Sequence, residues 1–579
     1  MNGRIAKFTR IALLVALAAL PVGALHAQED VVMRAMRDEL ARSMSKLTLE
    51  NLEKPYYISY RVIDSERYSV AAGFGALNHS TTNRSRALSV EVRVGDYQLD
   101  NSHFFSWSFD AGRSIQTGLF RAALPLEDDY TEVRRQIWLA TDNVYKKAVE
   151  DLAKKRAMLQ NRKRADDTPD FSKETPVTTR DELPAMKIDQ ARLEAEARRL
   201  SALFRQMPAI ATSNVTFNGE NTYTRYVNSE GTSYIRRLPS ITFNVNASTQ
   251  APDGASVDDF VWYYAHSPAD LPSEEKLAER IRELGADLAA LRDAPTLQSY
   301  NGPVLVEGDA AAQLIRLVFA PNLMGRRAVD SDLNTMGNEA GVVGMPGRAT
   351  PQNPFLDRVG SRVMPAFMSL TDNPLISEYQ GYALAGASKV DEDGVLSREV
   401  KLVENGYLRS LLTTRDPVRG FEHSTGSRHV GAATPSNLIV TTTSAVSSAD
   451  LRAQLTSLLN ERHLPFGIVV RRLRNVNNAE FCYKVFPDGH EELVRDLQFF
   501  GLNASSFRDI LAASKELNVL TLQYRPPQNN QFPTMTVAEE NFRPVTIVAP
   551  SLLFEDLTMR KIRAVLPNPP VAPHPFFDK

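Results

Sequence analysis

This 579-residue chain has nine histidines and one cysteine, side chains that commonly bind zinc, and a cysteine can also act as a nucleophile. The only histidines close together in the sequence are His423 and His429, with Glu422 and Asp416 nearby. Six residues apart in a glycine-containing stretch is not a ligand spacing of known zinc sites, so the pattern favours local contacts over a metal centre. A relocated zinc site built on these histidines remains the alternative.

Two other hydrolytic chemistries lack the residues they need. The single cysteine, Cys482, lies in an apolar, strand-like stretch, which predicts a small core residue rather than a nucleophile or a metal ligand. It has no second cysteine with which to form an intrachain disulfide. No Gly-x-Ser-x-Gly segment occurs, which argues against a serine hydrolase.

The first 27 residues predict export. Basic residues precede the apolar run 11–20, and small residues follow up to Ala27, as in a secretory signal peptide. Cleavage is expected after Ala27, or alternatively after Ala24, and the remaining alternative is an uncleaved anchor. No later stretch has the length and apolar character of a membrane span, so the mature chain is expected to be periplasmic or secreted, with no stable membrane span.

The charge balance argues against nucleic acid as a partner. The chain has 69 acidic and 67 basic residues, whereas a nucleic-acid-binding protein concentrates a basic excess. Basic residues are concentrated over 154–164, but this run lacks the interleaved aromatic residues on which nucleic-acid bases stack. We therefore interpret it as the solvated face of a helix.

Residues 28–300 predict an N-terminal α+β domain with a charged helical elaboration at 129–207. The segment 164–184, rich in Asp, Thr, Pro and Lys, predicts a linker or mobile loop. Hydrophobic periodicity predicts the regular elements. They are helices over 30–52, 129–164, 189–207 and 273–291, strands over 56–62 and 87–99, and a hairpin formed by 213–226 and 233–246 with its turn at 228–231.

Residues 301–579 predict a second, β-rich domain. Short alternating runs such as 398–412 and 465–472 indicate strands, and helices are expected only over 308–324, 448–460 and 505–515. The predicted fold class is therefore α+β, with an N-terminal domain of a sheet and helices followed by a domain with a curved, mostly antiparallel sheet.

Several ordered motifs in this second half resemble the TldD/PmbA family of metallopeptidase-related proteins. The run GPVLVEGDAAAQLIRLVFAPNLMG at 302–325 is similar to the strand and helix that begin the family's C-terminal domain. The run VENGYL at 403–408, the stretch TPSNL at 434–438 and the closing PVTIVAPSLLFEDLTMR at 544–560 follow in the family's order.

The resemblance implies a zinc site in other members that this chain does not reproduce. Metal-bearing members have His-Glu-x-x-x-His on that helix and a cysteine near the C terminus. The matching positions here are Arg316, Leu317 and Pro321, and none of these side chains can bind zinc or shuttle a proton. No cysteine occurs near 535–540, where the third ligand would lie. We therefore expect no catalytic residue, no metal ligand and no cofactor, with zinc present only if a relocated site exists.

The resemblance also implies a role. PmbA-type members, also called TldE, lack the metal ligands and pair with a metal-bearing TldD-type sibling to cleave peptides or unfolded proteins. The chain is expected to be such a non-catalytic subunit, and the alternatives are a homodimeric periplasmic peptide-binding protein and an active peptidase with a relocated metal site. Within the loop 415–429, the candidate substrate-facing residues are Arg419, His423, Arg428 and His429.

Overall fold

The structure is a computed structural model that describes most of the chain after residue 29. The described residues are 30–49, 52–105, 119–161, 164, 166–327, 330–331, 353–475, 478–524, 543–562, 574 and 576–577. The predicted signal peptide, residues 1–27, lies outside them. Within the described residues, no helix is both long enough and apolar enough to cross a bilayer.

The N-terminal part of the chain forms one sheet and the helices that cover it. In chain order the elements are α1 (Val31–Lys46), β1 (Pro55–Gly73), β2 (Ala76–Val94), β3 (Phe104–Phe105), β4 (Leu119–Ala123), α2 (Tyr130–Asn161), β5 (Thr178–Glu182), α3 (Gln190–Ala202), β6 (Thr212–Asn228), β7 (Ser233–Gln250), β8 (Ser256–Ala265) and α4 (Glu274–Asp293).

Long antiparallel hairpins build this sheet, whose strand order is β4-β2-β1-β6-β7-β5, with β8 also paired to β7. The β1–β2 hairpin turns at Phe74 and Gly75, both with positive φ, and β6 turns into β7 through the segment 228–232. The predicted hairpin at 213–246 is therefore confirmed. Because the strands are 17 to 19 residues long, the sheet has room for two separate cores.

Each core lies under one pair of helices. Helices α1 and α2 pack on one end of β1 and β2 through residues such as Met36, Val90 and Ile137. Helices α3 and α4 cover the other end through residues such as Leu200 and Phe243. Asp30 caps α1 and Ser273 caps α4, each through a side-chain oxygen that accepts a backbone N–H of the first turn.

The C-terminal part forms a larger sheet around a central core. Its elements are β9 (Ser299–Val306), α5 (Asp309–Leu314), β10 (Asp330–Ser331), β11 (Met368–Asp372), β12 (Glu378–Tyr379), β13 (Tyr382–Ala383), β14 (Val400–Glu404), β15 (Tyr407–Leu408), β16 (Arg428–His429), β17 (Ala432–Ala433), β18 (Asn437–Thr442), β19 (Ala445–Val446), α6 (Ser448–Glu461), β20 (Gly467–Asn475), β21 (Asn478–Val485), β22 (Glu491–Val494), β23 (Leu497–Phe500), β24 (Ile510–Tyr524) and β25 (Arg543–Lys561).

This sheet is curved because part of it closes on itself. Its main order is β15-β14-β11-β18-β25-β23-β21-β20-β9, and β9 pairs back with β25. Most pairs are antiparallel, and the described parallel pairs in this sheet are β18–β25, β19–β24 and β20–β9. The predicted fold class, α+β with an N-terminal sheet and helices followed by a mostly antiparallel C-terminal sheet, is confirmed.

Three local predictions were wrong. The helix expected over 505–515 is a short 3-10 helix, Ala504–Asp509, followed by strand β24, because pairing with β25 overrides the local helical preference of the alanines. The helix expected over 308–324 is confirmed, with α5 continuing as a π-helix, Ile315–Phe319, and a 3-10 helix, Ala320–Leu323.

The second and third corrections concern the segment 164–184, which is not a mobile linker where the structure describes it, and the basic run 154–164, which is not wholly solvated. Asp170 is fully buried there, and its carboxylate accepts from Lys155 Nζ and Arg164 Nη2, both at 2.6 Å. Lys155 belongs to the basic run that we expected to be solvated, yet it is buried as well. Its ammonium also donates to the carbonyl oxygens of Asp100 and Ser102, so this lysine anchors α2 to the loop below it.

Candidate functional site

The helix after β9 has an unusual geometry at the positions where the sequence resemblance implies zinc ligands in other proteins. The backbone N–H of Ala320 donates to the carbonyl oxygen of Ile315, which is the i to i+5 bond of a π-turn. Such a turn brings residues five apart, here Arg316 and Pro321, towards one side of the helix. Five residues is also the separation of the two histidines in His-Glu-x-x-x-His.

The side chains on this turn do not suit zinc. Arg316, Leu317 and Pro321 are half-buried, and none has a lone pair that a cation could use. The turn is instead held by Asn322, whose side-chain amide donates to the carbonyl oxygens of Val318 at 2.7 Å and Phe319 at 3.3 Å. In the described ranges of the chain, no group of three His, Cys, Asp or Glu side chains could hold a metal ion.

Cys482 is a core residue, as its sequence context predicts. Its side chain is fully buried on β21, and its Sγ lies 3.4 Å from the carbonyl oxygen of Ala479. Burial, together with the nearby Glu480 carboxylate, raises the pKa of the thiol far above its usual value. The thiolate needed for metal binding or nucleophilic attack is therefore disfavoured. Residues 535–540, where the resemblance implies the cysteine that is the third zinc ligand of other members, lie outside the described residues.

A network of buried charges joins the N-terminal sheet to the loop 415–429. We call this network the charged junction, and its members are Arg61, Arg93, Glu230, Glu392, Asp393, Arg415, Asp416 and Arg428. Each of its arginines has at least one carboxylate within ion-pair distance. Charges from β1, β2 and the β6–β7 turn thus meet charges from two C-terminal loops.

Arg415 is the largest fully buried side chain of the junction. Its Nη1 lies 2.7 Å from Glu230 Oε2, and its Nε donates to the carbonyl oxygen of Ser172 at 3.1 Å. The guanidinium also stands 3.9 Å from the centre of the Phe171 ring. A charged group that loses water in this way requires such partners, and here they come from two separate segments of the chain, 171–172 and the β6–β7 turn.

Asp416 connects two further arginines. Its carboxylate lies 3.0 Å from Arg93 Nη2 and 3.3 Å from Arg428 Nη1, and His103 Nε2 is 3.4 Å away. Burial alone would raise the pKa of Asp416, but His103, Arg93 and Arg428 hold it well below its ordinary value. Asp416 therefore remains ionised and binds β2 to the loop.

The acidic turn 391–393 supplies the remaining carboxylates. The Asp391 carboxylate is buried and accepts from the backbone N–H groups of Asp393, Val395 and Arg428. Glu392 lies 3.1 Å from Arg61 and accepts from the N–H groups of Val430 and Gly431. Burial would raise the pKa of Glu392, yet Arg61 and these donors lower it to about 2.

The four candidate residues of the loop lie in two different environments. Arg419 and His423 are 59% and 68% exposed, and each makes one ion-pair contact, with Asp357 and Glu174 respectively. Arg428 lies in the charged junction at 12% exposure, and His429 is 1% exposed. The structure therefore does not bring the four together, and a role in contacting substrate stays a prediction for Arg419 and His423.

His429 belongs instead to a second group, the other members of which are half-buried and which sequence reasoning missed. We call this group the cationic recess, and its members are Arg236, Tyr264, His429 and Arg543. Arg543 Nη1 donates to His429 Nδ1 at 2.7 Å, and its Nη2 donates to the carbonyl oxygen of Gly386 at 2.7 Å. Arg236 Nη1 donates to the carbonyl oxygen of Val390 at 3.2 Å.

The recess differs from the junction in its unbalanced charge. Among the described residues, neither Arg236 nor Arg543 has a carboxylate within 4 Å. Burial and the charge of Arg236 lower the pKa of Arg543 to about 9. Burial, Arg543 and Arg236 likewise hold the pKa of His429 well below its ordinary value, so its ring is neutral. No sequence pattern links these residues, because they come from β7, β8, β16 and the start of β25.

Comparison with known proteins identifies relatives of this arrangement. Residues 299–561 match the family described as the PmbA/TldA metallopeptidase C-terminal domain. TldE from Thermococcus kodakarensis has a similar structure, with a TM-score of 0.55 at 14% sequence identity over 91% of this chain and 99% of that chain. No curated protein is significantly similar in sequence.

Two further solved structures show the same fold. Both are described as proposed modulators of DNA gyrase. The one from Thermotoga maritima has a TM-score of 0.54 at 15% identity over 91% of this chain and 99% of its own. The one from Bacteroides thetaiotaomicron has a TM-score of 0.56 at 12% identity over 92% of this chain and 98% of its own. At these identities the likeness establishes the fold alone, and it extends over both sheets.

Proposed function

Because this chain belongs to the TldD/PmbA family through its C-terminal domain, we propose that it is the metal-free, non-catalytic subunit of a peptide-cleaving heterodimer. Its partner would be a TldD-type sibling with His-Glu-x-x-x-His, and the substrate would be a peptide or an unfolded protein. The signal-peptide-like residues 1–27 support a periplasmic or secreted location for this complex.

The observation that carries this proposal is the π-turn after α5. A π-turn is rare, because it replaces the regular hydrogen bonds of an α-helix, and it often occurs at functional sites. Its presence here without metal ligands suggests that the helix kept the backbone geometry of a zinc site after the ligands were replaced. Arg316 and Pro321 occupy the two histidine positions, and Leu317 replaces the general base. Zinc hydrolysis at this place therefore has neither its ligands nor its proton acceptor.

The exposed part of the loop 415–429 is the proposed contact surface for substrate or for the partner's active site. Arg419 and His423 face solvent there, and the loop is fixed from beneath by Arg415, Asp416 and Arg428 of the charged junction. A loop with a rigid base and polar, exposed tips is a common way of presenting binding residues.

The second candidate is a homodimeric periplasmic peptide-binding protein. The cationic recess favours it, because a site with unmatched positive charge can hold a ligand without cleaving it. An active metallopeptidase with a relocated zinc site is a further alternative, and it requires ligands other than those at 316, 317 and 321.

Reconstitution distinguishes these candidates. The mature chain and a TldD-type sibling from the same genome are purified separately, mixed, and analysed by size-exclusion chromatography with light scattering and by cleavage of a mixed peptide library. A subunit role predicts a one-to-one complex that cleaves peptides, with neither chain active alone. If the chain forms a symmetric dimer and does not bind the sibling, the result would instead support a binding protein.

Arg419→Ala with His423→Ala gives the matched variant for this experiment. We expect it to form the complex normally and to cleave peptides more slowly or with altered preference. Lys401→Ala is the control, since Lys401 is an exposed residue of β14 outside the loop.

A further inference from the structure

Three hydrogen-bond donors of the cationic recess have no acceptor within the described part of the chain. Arg543 Nε is buried without a partner, and so are the Tyr264 hydroxyl and His429 Nε2. Because a guanidinium can only donate, its bond to His429 Nδ1 places the proton of the neutral ring on Nε2, which makes Nε2 a donor. Buried donors without acceptors are costly, and several in one place indicate a missing acceptor.

The charges of the same residues point to the sign of that acceptor. Arg236 and Arg543 repel each other, and the neighbouring carboxylates of Asp372 and Glu392 offset the charge of Arg543 only in part. Asp372 is buried, and it is ion-paired with neither of them. One of its oxygens accepts from the backbone N–H of Ser436, and burial raises its pKa to about 6. Glu392 is already engaged by Arg61 and two backbone N–H groups.

We propose that Arg236, Tyr264, His429 and Arg543 form a binding site for the carboxylate group of a ligand. Two carboxylate oxygens offer about four lone-pair positions, which suits three single donors and a nearby guanidinium. One negative charge also relieves the repulsion between the two arginines. The site goes beyond the subunit role and needs no partner subunit.

The four side chains differ in exposure. His429 is 1% exposed, whereas Arg236, Tyr264 and Arg543 are only half-buried. The unpaired donor atoms lie beneath this surface, so a carboxylate would reach them as the half-buried side chains move apart. Arg236 and Tyr264 come from the N-terminal sheet, and His429 and Arg543 come from C-terminal strands. A carboxylate held between them would therefore join the two parts of the molecule.

Two sources of carboxylate are possible in chemical terms, a peptide C terminus and a small carboxylic acid. The probes are therefore tetraalanine with a free C terminus, tetraalanine amide and sodium acetate, at matched ionic strength. Binding to the full mature chain is measured by isothermal titration calorimetry and by the midpoint of thermal unfolding. Sodium phosphate is included as an oxyanion of a different class.

Two variants test the residues of the recess. Tyr264→Phe removes one hydroxyl and should weaken carboxylate binding about tenfold, the usual effect of one hydrogen bond to a charged group. Arg236→Gln removes one charge, should weaken binding by about tenfold or more, and should leave the unliganded unfolding midpoint unchanged or higher. Tyr263→Phe is the control, because this neighbour on β8 points to the opposite face of the sheet.

The proposal predicts that free-acid tetraalanine or acetate binds and stabilises the protein, that the amide does not, and that Tyr264→Phe and Arg236→Gln lose the effect. Stabilisation by both carboxylates identifies a site for small acids, and stabilisation by the peptide alone identifies a peptide terminus. Binding that survives both variants, or that occurs with phosphate and not with carboxylates, would overturn the assignment. Whether the site binds carboxylates or not, the outcome of the reconstitution with the sibling subunit does not change, so the two proposals can fail independently.

Discussion

The charged junction and the cationic recess lie side by side where the N-terminal sheet meets the C-terminal loops, and both contain arginines that are at least half-buried. In the junction, each guanidinium faces carboxylates, as Arg428 faces Asp393 and Asp416. In the recess, Arg236 and Arg543 face backbone carbonyls, a neutral histidine and each other. Both regions hold buried donors without an acceptor among the described residues, including Arg61 Nε and Arg428 Nε in the junction. The difference is one of charge: every junction arginine is ion-paired, whereas the proposed site in the recess gains a counter-charge only when an anion binds.

The carboxylates near the two regions show the same difference. Glu392 in the junction has its pKa lowered to about 2 by Arg61 and backbone donors, in spite of burial. Asp372 beside the recess has its pKa raised to about 6, because burial outweighs the backbone donors and the charge of Arg543. Pairing, rather than depth alone, decides whether a buried acid in this protein is charged.

The largest predicted effect comes from breaking the junction. Arg428→Gln leaves Asp393 and Asp416 buried without one of their counter-charges, and such a loss costs about 3–5 kcal/mol of stability. Urea unfolding followed by circular dichroism measures it. Arg236→Gln in the recess is the matched comparison, since it removes a half-buried arginine that has no carboxylate partner among the described residues. Equal destabilisation by the two variants would abolish the distinction between the regions.

A pH titration of Asp372→Asn gives the next largest effect. The native pKa of Asp372, about 6, exceeds its ordinary value of 3.8, so the native state holds this proton more tightly than the unfolded state. Its contribution to stability is complete below about pH 4 and is lost as the pH rises through 6. The variant should therefore gain up to about 3 kcal/mol relative to the native chain between pH 4 and pH 7.

The control for this titration is Glu392→Gln in the junction. Since the pKa of Glu392 is lowered, its contribution is present at neutral pH and is lost as the pH falls from about 4.5 through 2. The two variants should therefore show pH dependences of opposite sign. Parallel curves would mean that Asp372 is paired in solution.

The smallest effect is expected at the exposed end of the loop. Arg419→Ala and His423→Ala should each change the free energy of unfolding by less than about 0.5 kcal/mol, because exposed ion pairs contribute little. Thermal unfolding measures this directly. A loss comparable to that of Arg428→Gln would place these residues in the structural contact and remove them as candidates for substrate binding.

The sequence predicted the features that depend on local pattern. The α+β class, the hairpin at 213–246, helix α4 and the burial of Cys482 follow from periodicity, turn residues and composition. The absence of ligands at 316, 317 and 321 could also be read directly, since it depends only on residue type.

Features that depend on distant partners were not predicted. Lys155 looked solvated because its counter-charge, Asp170, lies in a segment whose composition suggested a linker. The segment 510–515 looked helical because its pairing partner, β25, is more than 30 residues away along the chain. Arg236 and Arg543 were missed because single arginines on separate strands carry no signal until the fold brings them together.

The central claim is that this chain lacks the family's zinc chemistry at the π-turn after α5 and depends on a partner for proteolysis. Elemental analysis of the mature chain, purified alone and assayed with a mixed peptide library, tests that claim most directly. We predict no stoichiometric zinc and no cleavage. Stoichiometric zinc with cleavage that a chelator abolishes would contradict the claim, and His423 and His429 would then be the first residues to mutate.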